Sequence, residues 1–98
     1  MNTYVILRRG AWKSAEELQE AAARSKQVGD EEMSDDIRWI RSYVLDEGAG
    51  SVGTVCIYQA TSEDKVREHA ARAGLAADEV IRVVDTVLMR PDPEPATA

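Results

Sequence analysis

An α+β domain of βαββαβ order is what this sequence predicts, and three observations carry the prediction. Four segments are rich in β-branched and aromatic residues, two intervening segments have helical spacing behind capping residues, and glycine-rich or acidic stretches separate them. Ninety-eight residues with 44% hydrophobic content suit one core and argue against a disordered chain.

Residues 3–9 hold Tyr4, Val5, Ile6 and Leu7 in succession, the run of a strand buried on both faces. Ser14 and Glu17 stand at capping-box spacing and open a first helix. Its expected inward stripe is Ala15, Leu18, Ala22, Ser25 and Val28, with Gly29 placed to end it. The acidic stretch 29–36 has no hydrophobic period and reads as a surface loop. Residues 37–46 alternate as a second strand, with Ile37, Trp39, Tyr43 and Leu45 on one parity and Ile40 and Val44 on the other. Residues 47–53 carry three glycines and read as a hairpin connection longer than the tightest turns.

Residues 54–60 return as a third strand. Thr61 or Ser62 caps a second helix, with Val66, Ala70 and Ala73 inward and Gly74 as its left-handed stop. Residues 78–88, with Val80, Ile81, Val83, Val84 and Val87, make a fourth strand. Residues 1–90 thus form one domain, and Pro91, Pro93 and Pro95 predict a disordered Pro/acidic tail over 91–98.

This order is that of the ferredoxin-like split βαβ fold, a four-stranded antiparallel sheet with both helices on one face. The other face is then open. Tyr4, Ile6, Trp39, Tyr43, Cys56 and Tyr58 are expected to share it, an aromatic surface that a second copy would cover. A homodimer paired through its sheets follows as the expected assembly.

A net charge of -6 repels phosphate backbones and anionic lipid, so neither nucleic acid nor membrane is an expected partner. Tyr58 and Trp39 imitate the base-stacking platform of RNA-recognition modules, but the basic, glycine and aromatic strand motif of those modules is missing. The lone Cys56 forms no internal disulfide, and no apolar run suits a signal peptide or a membrane span; a cytoplasmic location is the simplest reading. The acidic run Asp30, Glu31, Glu32, Asp35 and Asp36 lacks EF-hand spacing. Arg8, Arg9 and Lys13 read as a small basic surface cluster.

Three segments carry a family resemblance: Trp39-Ile40-Arg41-Ser42-Tyr43-Val44, Cys56-Ile57-Tyr58-Gln59-Ala60, and Arg67-Glu68-His69-Ala70 with Ala73-Gly74-Leu75. In this order they resemble the bacterial domain-of-unknown-function family numbered 4242, and the similarity covers nearly the whole chain apart from the tail. The resemblance implies a ferredoxin-like fold, and because some members carry the name nickel-binding protein, it implies nickel or another divalent metal. Where some relatives place a histidine, this chain has Arg41.

Under that implication the expected metal ligands are His69 and Cys56 with Glu68, or Glu63 in its place, completed by carboxylates or a second chain. The competing reading leaves His69 packed beside Val66 and Ala73, and Cys56 as a small mid-strand hydrophobe. No pair of catalytic acids and no cofactor fingerprint is present, so a non-enzymatic homodimer binding a metal ion or small ligand is the leading expectation. The alternative is a small enzyme of the dimeric α+β barrel type, with a pocket between two sheets lined by Tyr4, Trp39, Tyr43 and Tyr58.

Overall fold

The computed structural model describes residues 1–94. Strands β1 (Asn2–Trp12), β2 (Ile37–Gly48), β3 (Ser51–Ala60) and β4 (Glu79–Arg82) alternate with helices α1 (Ala15–Gln27) and α2 (Glu63–Ala73) in the expected order. All pairings are antiparallel and the sheet runs β2-β3-β1-β4, the ferredoxin-like arrangement. Of the tail expected over 91–98, residues 95–98 lie outside the described residues, and 91–94 form neither helix nor strand. No helix among the described residues is long and apolar enough to cross a membrane.

Local chemistry sets the helix ends. The Ser14 hydroxyl accepts from the Glu17 N–H at 3.2 Å, and the Glu17 carboxylate accepts from the Lys13 N–H at 2.8 Å. Ser62, not Thr61, caps α2 by accepting from the Lys65 N–H, and Gly74 ends it with φ of 70°. Gly29 does not stop α1. The chain widens into a π-helix, Val28–Glu32, in which the Met33 N–H donates to the Val28 carbonyl, and this draws Val28 and Met33 into the core. The stretch expected as a loop is therefore partly helical.

The β2–β3 hairpin is tighter than expected. Gly48 pairs with Ser51 across a two-residue turn in which Ala49 and Gly50 have φ of 53° and 81°, the sign required at both centres of a type I′ turn. Strand β4 is shorter than expected because it pairs only with β1: Tyr4 faces Arg82, and the Val83 N–H donates to the Thr3 carbonyl. By that register Val84 already stands opposite Asn2, and few partners remain beyond it.

The shared aromatic face does not form. Tyr4, Ile6, Cys56 and Tyr58 point toward the helices and are buried. Both helices present small residues there, Ala21 and Ser25 on α1 and Ala70 and Ala73 on α2, so large sheet side chains fill the space beneath them. On β2 a bulge at Ile40 reverses the alternation: Trp39 pairs with Tyr58 on the helix side, whereas Arg41 pairs with Ile57 and Tyr43 with Val55 on the other. The open face is consequently aliphatic, built from half-buried Val5, Leu7, Val55 and Ile57, with Tyr43 at 43% exposure as its ring. The chain after β4 crosses to the far side of the sheet, where the Asp92 carboxylate accepts from the Tyr43 hydroxyl at 2.6 Å and pairs with Arg41.

Candidate functional site

The slender α1 leaves the β2–β3 half of the helix-side face incompletely covered, and the result is a cleft of about 640 Å³. That size suits a small organic ligand. Trp12, Leu18, Trp39, Ile40 and Val44 supply its apolar walls, and Arg8, Ser42, Thr54 and Cys56 supply polar atoms. Trp12 reaches it through an irregularity in β1, where Arg8 faces Thr54 but Trp12 faces Val52. Gly53 permits this close passage: a Cβ there would lie 2.4 Å from the Arg8 carbonyl oxygen. Trp39 stacks on Tyr58, ring centroids 6.0 Å apart and planes 10° from parallel.

A relay of hydrogen bonds runs through the polar side. The Trp39 indole N–H donates to the Ser42 hydroxyl at 2.8 Å, Ser42 donates to the Cys56 sulfur at 3.0 Å, and the thiol donates to the Thr54 hydroxyl at 3.3 Å. Arg8 enters the same group and is only 1% exposed. Its Nε donates to the Ala76 carbonyl at 2.7 Å and its Nη1 to the Cys56 sulfur at 3.0 Å, while its carbon Cζ stands 6.0 Å over the Tyr58 ring. Its Nη2 is buried without an acceptor. No carboxylate among the described residues pairs with it.

Next to this group lies a neutral pair. The hydroxyls of Tyr58 and Ser25 share a hydrogen bond at 2.8 Å, and burial pushes the Tyr58 pKa up to about 12. His69 donates from Nε2 to the Ser25 carbonyl at 2.9 Å, which leaves Nδ1 as the bare nitrogen, buried and without a partner. Burial holds its pKa below the ordinary value, and the Arg8 charge adds to that lowering.

The expected metal ligands fall out as follows. Cys56 and His69 both face the helices, contrary to the expectation that Cys56 looked away from them. Glu68 lies on the outer side of α2, paired with Lys65 and Arg72, and Glu63 pairs with Arg67. Among the described residues no three His, Cys, Asp or Glu side chains come together as a metal site. The four rings expected around one pocket are divided as well: Trp39 and Tyr58 line the cleft, Tyr4 lies in the core, and Tyr43 is on the opposite face. Sequence reasoning missed Arg8, which it grouped with exposed Arg9 and Lys13. The available signal was parity, since Arg8 continues the Tyr4 and Ile6 alternation.

Comparison with known proteins places this geometry. The crystal structure of SCO4226 from Streptomyces coelicolor A3(2) aligns with a TM-score of 0.70 at 20% identity, over 87% of this chain and 99% of that one, and so shares its fold. Among curated proteins none matches. The family model described as nickel responsive protein SCO4226-like matches residues 4–83, a span that takes in all or part of each strand and both helices. The chain belongs to the SCO4226-like nickel-responsive family.

Proposed function

We propose that this chain is a small-molecule-binding member of the nickel-responsive family, with the cleft between α1 and the β2–β3 sheet as its binding site. The observation that carries the reading is the cleft itself: about 640 Å³, walled by two indoles and aliphatic groups, with hydroxyl, thiol and guanidinium groups converging on one side. Apolar walls with a few placed polar groups are the usual make-up of a ligand site. The single chain's interior donors do not fit a nickel cage, because Glu68 is turned outward and His69 is committed to Ser25. We therefore propose no metal centre built from His69, Cys56 and Glu68 within one chain. The free, buried thiol of Cys56 is in keeping with a cytoplasmic location.

A second observation favours self-association. Val5, Leu7, Val55, Ile57 and Ile81 on the open face, followed by the exposed Val84, Val87, Leu88 and Met89, make an apolar surface that a second copy would cover.

The cleft reading is tested by adding a library of small neutral and charged fragments to ¹⁵N-labelled protein. The indole N–H signals of Trp12 and Trp39 and the amides of Ser42 and Thr54 are expected to shift together with at least one fragment class. A library that leaves all four unmoved overturns the reading.

A further inference from the structure

Arg8 gives the cleft a chemical preference. A guanidinium stays charged at every pH a protein survives, and a charge taken out of water is compensated by an anion or a full set of acceptors. Arg8 has neither. One backbone carbonyl holds Nε, the weak acceptor sulfur of Cys56 holds Nη1, and Nη2 holds nothing. The adjoining Tyr58, its pKa pushed up to about 12, stays un-ionised near pH 7, and an imidazole such as His69 is never an anion, so neither supplies a counter-charge.

We propose that the cleft is a receptor for the carboxylate of a small organic acid with an apolar body, selected by the free end of the Arg8 guanidinium. The inference rests on the cleft being a binding site and names the class of its ligand. Nη1 and Nη2 form the one edge of the guanidinium not held by a backbone carbonyl, and that edge matches the two oxygens of a carboxylate. Displacing a sulfur contact at Nη1 forfeits little, because thiols accept poorly. Arg8 borders the cleft but is only 1% exposed and Nη2 is sealed, so an anion reaches this edge only as the Cys56 contact at Nη1 gives way; in so dry a place the pair gains more than it would at a solvated arginine. The Thr54 hydroxyl accepts from the same sulfur and keeps its own proton to donate, whereas the Ser42 proton is already given to the sulfur.

The walls and the charge balance narrow the class further. Trp12, Leu18, Trp39, Ile40 and Val44 fit a hydrocarbon chain or ring. Arg41 touches the cleft at the β2 bulge, but its side chain turns to the opposite face and pairs with Asp92 there, leaving Arg8 as the uncompensated cation of the cleft. One cation suits a monoanion better than a phosphate dianion, and the overall charge of -6 works against polyanions.

Trp12 and Trp39 are the chain's two tryptophans and both border the cleft, so intrinsic fluorescence reports on it directly. The probes are octanoate, its neutral analogue octanamide, acetate and inorganic phosphate, each at constant ionic strength and below micelle-forming concentration. Octanoate is expected to give a saturable change about tenfold tighter than octanamide, the scale of one charge-assisted hydrogen-bonded pair. Acetate and phosphate are expected to bind more weakly than octanoate. Arg8→Met is expected to erase the preference for the acid. Gln19→Glu, an exposed change at the cleft wall, keeps the test decisive if Arg8→Met fails to fold; it is expected to weaken octanoate more than octanamide. Equal affinity for acid and amide, or phosphate binding tighter than octanoate, overturns the carboxylate inference and leaves the cleft reading standing. If no probe changes the fluorescence and no fragment moves the indole signals, both fall.

Discussion

His69 on α2 donates from Nε2 to the Ser25 carbonyl on α1 at 2.9 Å, so a neutral imidazole fastens the two helices across the Tyr58 ring. Its pKa lies below 6.5, because burial penalises the charged form. The sign follows from linkage. Below pH 6.5 the unfolded chain takes up a proton that the folded chain refuses, so acidification favours unfolding, whereas above about pH 7.5 the His69 contribution is flat. His69 is the sole histidine, and carboxylates titrate lower, so the window just below pH 6.5 is its own. The urea midpoint is expected to fall from pH 7 to pH 5.5, with a shallower fall in His69→Gln. Identical pH profiles for the two proteins would remove this role for His69.

Gly53→Ala is expected to cost about 2 kcal/mol, within the range for overpacking a fitted site. The added Cβ would meet the Arg8 carbonyl oxygen at 2.4 Å and the Gly10 nitrogen at 3.1 Å, both backbone atoms that yield only if β1 moves. Because β1 places Trp12, the same change is expected to alter tryptophan emission. Chemical denaturation and an emission spectrum check both; an unchanged midpoint would show that the strands separate freely there.

Arg8→Met is expected to change stability by no more than about 1 kcal/mol in either direction, because removing an uncompensated buried cation offsets the lost hydrogen bonds. The two bonds lost are those to the Ala76 carbonyl and the Cys56 sulfur. Denaturant unfolding measures the balance. A loss of several kcal/mol would mean that Arg8 holds β1 to the Ala76 segment as a structural clamp, and its unpaired Nη2 would then say little about a ligand.

These residues also mark what the sequence makes legible. Ser14, Ser62 and Gly74 act within one turn of their own positions, so spacing alone finds the helix ends. The four strands are likewise local. Which face of the sheet each side chain takes is not, because β1 and β3 are apolar on both parities and register comes from the partner strand. Ile40 compounds this: a single extra residue moves Tyr43 away from Trp39, although the two look equivalent in the sequence. The cleft depends on how far a helix lined with Ala21, Ala22 and Ser25 stands from β2, a distance that no local pattern encodes.

Nickel titration calorimetry distinguishes an interior metal site from a surface or intersubunit one. The Nε2 proton of His69 is engaged by Ser25, and Nδ1 is buried with no group of metal-ligating side chains around it among the described residues. His69→Gln is therefore expected to leave the nickel binding isotherm of the parent chain unaltered. Loss of half or more of the heat in that variant would require His69 to leave Ser25 and ligate the metal.

Val55 stands at the centre of the open face, between Leu7 on β1 and Tyr43 on β2. If two copies join there, Val55→Lys puts a charge into a seam whose stability comes from apolar contact, and a desolvated unpaired ammonium costs more than the contact it replaces. The side chain is half-buried in the single chain, so a lysine stem can lie along the sheet with its head in water and leave the monomer folded. Sedimentation equilibrium is expected to give a dimer for the parent and a monomer with unchanged circular dichroism for Val55→Lys. A parent that sediments as a monomer at high concentration ends the proposal of pairing, and a variant that stays dimeric moves the seam elsewhere, with the exposed Val84, Val87 and Leu88 as the next surface to substitute.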